Sequence, residues 1–346
     1  MNQNTKMMRA IGYYKYLPIE QPESLLDVMV PKSSPKGRDI LVKVKSISVN
    51  PADPIVRAYD NKSGEPPYIL GWDVAGIVEQ VGAQCTLFKP GDEVFYAGSL
   101  VRPGGNSEFH VVDERIVGSK PTSIDFADAA SLPLTSITAW EGLFDRLAIS
   151  QDPESNKNKS ILIIGAAGGV GSIAVQLANL AGLTVIGTAS RTESIQWVKN
   201  LGANFVINHY EDFLPQLQKI GLDHVDYIFC LNNTDQHWNN MVQAIAPQGK
   251  ICLIVENEAP IALGLLKSKS VTVAWETMFT RSTFNTEDIE KQHSLLNRIA
   301  ELVDRGKIRT TVTERISPIN AANLKLAHAK IESGKTIGKI VLEHFC

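Results

Sequence analysis

The sequence has few cysteines and almost no net charge. Four of its 346 residues are cysteine, and they stand far apart without a CxxC pair, which excludes a disulfide framework and a zinc ribbon. Its 34 basic and 37 acidic residues leave a net charge of −3, too small and too mixed to indicate nucleic acid or an anionic membrane as a partner. We therefore expect a cytoplasmic protein with reduced thiols that binds neither nucleic acid nor membranes.

Long hydrophobic runs are also missing. The longest apolar stretch, residues 161–171, is rich in glycine and too short to span a bilayer. The polar residues 1–6 lead straight into a strand-like run, so we expect no secretory signal. The hydrophobic content of 44% is that of a globular protein, and the length predicts two domains.

The chain has two regions with different residue patterns. In the first third, alternating residues with glycine and proline between them predict a β-rich domain with short strands at 40–49, 76–81, 93–96 and 106–112. We expect loops at 59–68 and 100–105. Residues 125–147 have helical spacing, interrupted by Pro133. From residue 160 onward strands alternate with helices, which predicts βαβ units and a parallel sheet. The tail mixes helices and strands, with a final strand at 339–343.

A glycine-rich loop between a strand and a helix is the strongest single motif. The segment SILIIGAAGGVGSIAVQLANLAG (160–182) runs from an apolar strand through the loop into a helix with one apolar face. This places the loop where a pyrophosphate meets the free N–H groups of a helix N-terminus. The predicted binding residues are Gly168, which lets the backbone approach the phosphates, Gly169, Val170, and Gly171, which permits close helix–strand packing. Ala166 stands where G-x-G-x-x-G has its first glycine.

The residues after the next strand indicate which dinucleotide binds. An NAD enzyme places Asp or Glu at the end of this strand, near residue 188, to accept from the ribose 2′-hydroxyl. Here Ser190 and Arg191 follow the strand, and a hydroxyl and a guanidinium suit a 2′-phosphate. Glu193 is expected in the first turn of the next helix, too late for this role. We predict NADP(H), the alternative being that Ser190 only caps the helix and Arg191 is a solvated surface charge.

Further segments, in chain order, carry a family resemblance. They are ILVKVKSISVNPADPIVR (40–57), GWDVAGIVEQVG (71–82), FKPGDEVFY (88–96), SLPLTSITAWEGLF (131–144), LGANFVIN (201–208), WETMFTRSTF (275–284) and AHAKIESGKTIGKIVL (327–342). The chain resembles the medium-chain dehydrogenase/reductase superfamily, within it the quinone oxidoreductase and zinc-type alcohol dehydrogenase-like branch. This implies an α/β fold with a GroES-like β-rich catalytic domain (1–135), a Rossmann domain with a doubly wound parallel sheet that binds NADP(H) (136–278), and a C-terminal segment (279–346) that returns to the catalytic domain.

The sequence departs from the metal-dependent members at the zinc ligands. Asn50 stands where they have a cysteine, and Trp72 replaces their histidine, so only Asp73 remains. Their four-cysteine lobe is missing after Gly91-Asp92-Glu93-Val94. A catalytic zinc needs three good ligands. We therefore predict no metal.

Without zinc, hydride transfer to a quinone or an α,β-unsaturated carbonyl is the least demanding chemistry, because conjugation spreads the developing charge. By resemblance Asn50 sits beside the nicotinamide and donates to the substrate oxygen, or else its Asn-Pro pair merely ends the strand. Thr138 and Asn208 are assigned to the cofactor by the same resemblance. An apolar pocket for a flat small-molecule substrate is predicted from five aromatic residues, although plain core packing explains each as well: Tyr59, Trp72, Tyr96, Trp275 and Phe279.

The assembly and two rival functions complete the expectations. The strand at the predicted edge of the sheet has apolar residues at every second position, Val271, Val273 and Trp275. An exposed apolar edge strand can pair with a strand of another chain. We expect a homodimer, as in relatives of this kind. The rivals are a zinc-dependent alcohol dehydrogenase, and a non-catalytic NADPH-binding protein with a sensor or structural role.

Overall fold

The computed structural model describes residues 6–59 and 63–345. Its contacts divide the chain into two compact units, one of residues up to Leu134 together with those from Phe279 onward, the other of Thr135–Met278. The domain boundaries predicted from the sequence lie after residues 135 and 278. We call the first the β-rich unit and the second the Rossmann unit. No helix in the described ranges is long and apolar enough to cross a membrane.

The β-rich unit contains two sheets. Its strands are β1 Met7–Lys15, β2 Leu26–Pro31, β3 Asp39–Ser48, β4 Ser63–Ile69, β5 Val74–Val81, β6 Glu93–Tyr96, β7 Phe109–Asp113, β8 Val117–Ser119, β15 Val312–Ile316 and β16 Lys339–Glu343. A three-stranded sheet has the order β2-β1-β4, and a larger one has the order β15-β16-β3-β5-β6-β8, with β7 also paired to β3. The helices are α1 Ala52–Tyr59, α2 Phe126–Ala130, the first two residues of α3 Pro133–Trp140 (the rest of which belongs to the Rossmann unit), α8 Thr280–Phe284, α9 Lys291–Asp304 and α10 Ala321–Glu332.

The end of the chain completes the large sheet. Strand β16 pairs antiparallel with β3, so that Val341 lies opposite Ser48. Three consecutive residues of β16, Ile340, Val341 and Leu342, are buried. The C-terminal residues are therefore part of the core of the β-rich unit.

The prediction of a loop at 59–68 was wrong. The structure has helix α1 up to Tyr59, and strand β4 begins at Ser63. Two prolines, Pro66 and Pro67, obscured the strand in the sequence, since proline cannot donate to a central ladder. Strand β4 is an edge strand that pairs only with β1 in the described sheet, which is a place where proline is tolerated.

The Rossmann unit is built around one parallel sheet. Its strands are β9 Ser160–Ile164, β10 Thr184–Thr188, β11 Phe205–Ile207, β12 Val225–Cys230, β13 Ile245–Leu253 and β14 Thr272–Trp275. Its helices are α4 Gly169–Leu180, α5 Thr192–Asn200, α6 Phe213–Lys219 and α7 Thr234–Ala244. The order β11-β10-β9-β12-β13-β14, with every pair parallel, is that of a doubly wound dinucleotide-binding sheet. The predicted α/β fold class is confirmed.

A close contact between a half-buried arginine and a buried glutamate joins two elements of the Rossmann unit. After α3 the chain forms a π-helical turn over Glu141–Arg146, and the Nε of Arg146 lies 2.8 Å from a carboxylate oxygen of Glu276, just after β14. Burial, followed by the neighbouring Glu141, raises the pKa of Glu276 to about 9. The contact between Arg146 and Glu276 connects the turn to the end of the edge strand.

Candidate functional site

The glycine loop connects β9 to α4 in the Rossmann unit. Gly165 has a φ of +81°, in the left-handed region that favours glycine. A tight-turn glycine is therefore present directly before Ala166, the residue that stands at the first glycine position of G-x-G-x-x-G. The N–H of Gly165 donates to the hydroxyl of Thr188 at 3.1 Å, which ties the loop to the end of β10.

Two further glycines of the loop differ in what surrounds them. A Cβ on Gly171 would lie 2.4 Å from the carbonyl oxygen of Gly165 and 2.6 Å from the Cα of Ala166, so close packing of helix and loop requires glycine there. A Cβ on Gly168 would meet only the Gly165 oxygen, at 3.5 Å. The space beside Gly168 is open, as a cradle for a phosphate must be.

The predicted anion site lies at the start of α4. The helix begins at Gly169, and the cap residue Gly168 offers no side chain to bond its first N–H groups. The backbone N–H groups of Gly169, Val170 and Gly171 therefore have no partner within the helix. The helix follows β9, and the strand order of the sheet reverses between β9 and its neighbour β12. A dinucleotide phosphate fits a helix N-terminus at such a switch point.

The segment after β10 carries the predicted ribose contacts. Arg191 is the N-cap residue of α5, and the Ser194 hydroxyl accepts from its N–H at 3.2 Å and donates to its carbonyl at 2.8 Å. Ser190 therefore does not cap the helix, which was the alternative role considered for it. Glu193 lies in the first turn, as expected. The side chain of Arg191 is exposed.

The end of the neighbouring strand β11 adds one residue that sequence reasoning missed. Burial, and after it the charge of Arg191, lower the pKa of His209, which follows the carboxyl end of β11. The preceding Asn208 is engaged locally, because its amide donates to Glu211 at 2.9 Å and accepts from the N–H of Tyr210 at 3.0 Å. The position of His209 two residues after β11 is the signal that could have identified it.

In the β-rich unit, Asn50 belongs to a buried polar cluster. Its Nδ2 donates to the Oδ2 of Asp73 at 2.8 Å, and its Oδ1 accepts from Lys339. The Lys339 ammonium also donates to Asp73 at 2.9 Å and to the carbonyl oxygen of Val49 at 2.8 Å. Asp73 further accepts from Ser48 and from the N–H of Leu134, each at 2.8 Å. Sequence reasoning considered Asp73 only as a leftover metal ligand and did not single out Lys339.

A second carboxyl group supports this cluster. Asp53 accepts from the backbone N–H of Asn50 at 2.8 Å and is fully buried. Burial raises its pKa to about 7, and Asp73 adds to the rise while Lys339 opposes it. The loop that carries Asn50 is thus held by both carboxyl groups.

The predicted pocket aromatics do not share one environment. Trp72 and Phe279 contact edge to face with ring centroids 6.0 Å apart, and the Trp72 indole donates to the carbonyl of Ser99 at 3.3 Å. Tyr96 is fully buried, stacked on His110, and burial lowers the pKa of His110 to about 4.

The remaining predicted residues lie elsewhere. Trp275 is 45% exposed at the end of β14 in the Rossmann unit, and Thr138 is buried in α3. The side chain of Tyr59 lies outside the described part of the chain. Within that part, no group of three or more His, Cys, Asp or Glu side chains is arranged to hold a metal ion.

Known proteins share both units. The family described as alcohol dehydrogenase GroES-like domain matches residues 36–122, and the family described as zinc-binding dehydrogenase matches residues 169–298. A zinc-type alcohol dehydrogenase-like protein of Staphylococcus epidermidis is 42% identical, over 97% of this chain and 99% of its own length.

Solved structures agree with the sequence comparison. A crystal structure from Rhizobium etli CFN 42, provisionally named a zinc-dependent alcohol dehydrogenase, is 52% identical with a TM-score of 0.94 and 99% coverage of both chains. The Escherichia coli quinone oxidoreductase complexed with NADPH is 26% identical, with a TM-score of 0.81 over 97% of this chain and 99% of that one. The chain belongs to the medium-chain dehydrogenase/reductase superfamily, a class of oxidoreductases, and the resemblance found in the sequence is confirmed.

Proposed function

We propose that this protein is a zinc-independent, NADPH-dependent oxidoreductase that transfers hydride to quinones or α,β-unsaturated carbonyl compounds. The observations that carry the proposal are the loop of Gly165 to Gly171 and Arg191, which follow the carboxyl ends of the neighbouring parallel strands β9 and β10. The Escherichia coli relative that is complexed with NADPH supports the same cofactor.

The cofactor is assigned to residues of the Rossmann unit. The N–H groups of Gly169, Val170 and Gly171 would hold the pyrophosphate, and Gly168 would leave it room. Arg191, with the hydroxyl of Ser190, would bind the 2′-phosphate by charge-assisted hydrogen bonds. When bound, NADPH supplies hydride.

In the proposed reaction a hydrogen-bond donor, rather than a metal ion, stabilises the carbonyl oxygen of the substrate. The β-carbon of an enone takes the hydride, the C=C electron pair moves onto the carbonyl oxygen, and water provides the proton. A positioned N–H stabilises the developing negative charge on that oxygen, and we assign this role to the amide of Asn50.

Zinc independence rests on what replaces the metal ligands. Trp72 cannot ligate a metal through its indole, which donates to Ser99. Asp73 is already paired with the ammonium of Lys339. The names of the Staphylococcus epidermidis and Rhizobium etli relatives favour the alternative, a zinc-dependent alcohol dehydrogenase. A non-catalytic NADPH-binding role is the other alternative, and the glycine loop is equally consistent with it.

An assay on chelator-treated protein separates these functions. We expect less than about 0.1 zinc per chain by elemental analysis, because a structural or catalytic site needs three or four protein ligands. After dialysis against a chelator, the protein should oxidise NADPH with simple quinones or enones at an unchanged rate. With NADP⁺, saturated primary alcohols should react poorly or not at all. About one zinc per chain, lost together with activity, would support the zinc enzyme. NADPH binding without turnover of any acceptor would support the non-catalytic role.

We also propose that the protein is a homodimer through β14. This strand is at the edge of the sheet. Val271 and Val273 are half-buried there and Trp275 is 45% exposed, and an apolar edge strand is a template for a second strand. Light scattering at micromolar concentration should therefore give twice the chain mass of 37.9 kDa, and Val273→Lys should shift it toward the monomer. A monomer mass for the wild-type protein would reject the proposal.

A further inference from the structure

We propose that Lys339 is a positioning residue: together with Asp73 it fixes which way the Asn50 amide points, so that an N–H remains for the substrate oxygen. The inference rests on the proposed function, in which Asn50 is the donor. It is based on the two hydrogen bonds of the Asn50 amide in the buried cluster. The amide nitrogen faces the carboxylate of Asp73, which only accepts, and the amide oxygen faces the ammonium of Lys339, which only donates.

The partners of Asn50 permit only one orientation of its amide. An ammonium group can only donate, so the atom facing Lys339 must be the carbonyl oxygen. The carboxylate of Asp73 accepts, so the atom facing it must be the nitrogen. A flipped amide would turn its N–H groups toward the ammonium and its oxygen toward the carboxylate, which makes both contacts repulsive.

Burial prevents water from replacing these partners. Lys339 is 3% exposed, Asn50 1% and Asp73 fully buried. In such surroundings an unpaired polar group costs far more than it does in water. The orientation is therefore held by the charges, and thermal flipping of the amide is suppressed.

The arrangement leaves Asn50 with one donor to spare. Asp73 uses one hydrogen of Nδ2, and the second has no acceptor among the described residues. All three hydrogens of Lys339 are engaged, by Val49, Asn50 and Asp73. Lys339 has no donor left for a substrate, and its contribution must pass through Asn50.

Double-mutant cycles on the full-length enzyme test this dependence. Lys339→Met alone leaves Asp73 as an unpaired buried charge and can unfold the unit. The charge-neutral pair Lys339→Met/Asp73→Asn avoids this. If the amide introduced at position 73 keeps its oxygen toward the N–H of Leu134, it turns an N–H toward Asn50, which favours the flipped orientation of the Asn50 amide. The pair is made with and without Asn50→Ala, and kcat, the KM for a simple quinone, the Kd for NADPH and the melting temperature are measured.

We expect Asn50→Ala to lower kcat by about 100- to 1000-fold. The charge-neutral pair should lower kcat by about tenfold with Asn50 present, and by less than about twofold when residue 50 is already alanine, because residues acting through one group are not additive. The Kd for NADPH should change by less than about twofold in every folded variant, because these residues are not assigned to the cofactor phosphates.

The outcomes separate the inference from the proposed function. If Asn50→Ala leaves kcat unchanged, Asn50 is not the donor, and the positioning role of Lys339 is rejected as well. If Asn50→Ala lowers kcat but the charge-neutral pair is fully active, or lowers kcat equally in both backgrounds, only the positioning role of Lys339 is overturned. A charge-neutral pair that does not fold shows that the two charges serve the fold itself, and this also rejects a separate positioning role.

Discussion

Gly171→Ala should destabilise the protein, whereas Gly168→Ala should leave its stability unchanged and abolish tight cofactor binding. The methyl group on residue 171 would lie 2.4 Å and 2.6 Å from backbone atoms of Gly165 and Ala166, which cannot rotate away as a side chain can. Overpacking of this kind costs about 1–3 kcal/mol. For a unit of this size we expect the melting temperature to fall by roughly 3–10 °C.

The matched variant Gly168→Ala separates packing from binding. Gly168 has φ −73° and ψ 178°, a conformation that alanine adopts freely, and its methyl group would make only an ordinary contact at 3.5 Å. Its melting temperature should match that of the wild type or rise slightly, because alanine reduces the entropy of the unfolded chain. The methyl group would instead occupy the proposed pyrophosphate space, so NADPH and NADH should both bind at least about tenfold more weakly.

Thermal melts and cofactor titrations of the two variants decide this pair of expectations. An unchanged melting temperature for Gly171→Ala would mean that α4 can move away from the loop. Wild-type cofactor affinity in Gly168→Ala would mean that the pyrophosphate does not approach Gly168, and the assignment of the loop would then be wrong.

The fold could be predicted largely because its signals are local. Strand β16 spans the predicted residues 339–343, and β10 ends at Thr188 as expected. Glu193 lies in the first turn of α5 as its spacing requires. The glycine loop is equally local, since one strand and one helix define it. The left-handed Gly165 could not be identified from the fingerprint, because it lies one residue before the first motif position, which Ala166 occupies.

The polar cluster around Asn50 could not be predicted in the same way. Lys339 is 289 residues from Asn50 and 266 from Asp73, and no pattern near any of them indicates that they meet. The pairing of β16 with β3 brings Lys339 to Asn50, and the pairing of β5 with β3 brings Asp73 there. Likewise, the sequence shows that Trp72 and Trp275 are aromatic, but not that one is buried and the other 45% exposed.

Arg191→Ala should weaken NADPH binding by about 10- to 100-fold and leave NADH binding nearly unchanged. A hydrogen bond to a charged group contributes about 1.5–3 kcal/mol, which corresponds to this range of affinity. NADH has no 2′-phosphate and therefore loses no contact. Lys199→Ala is the matched control, because it removes the same charge from an exposed position near the other end of α5.

Titrations of both cofactors against wild type, Arg191→Ala and Lys199→Ala measure the contrast. Because Arg191 is exposed, its contribution should shrink as salt is raised from about 0.01 M to about 1 M, over which the screening length falls from about 30 Å to about 3 Å. At about 0.1 M salt and above the control variant should bind NADPH within about twofold of wild type, because Lys199 lies roughly 12 Å further along the helix and the screening length is then about 10 Å or less. Equal losses of NADPH and NADH in Arg191→Ala, or a wild-type preference for NADH, would show that the segment after β10 does not meet the 2′-phosphate.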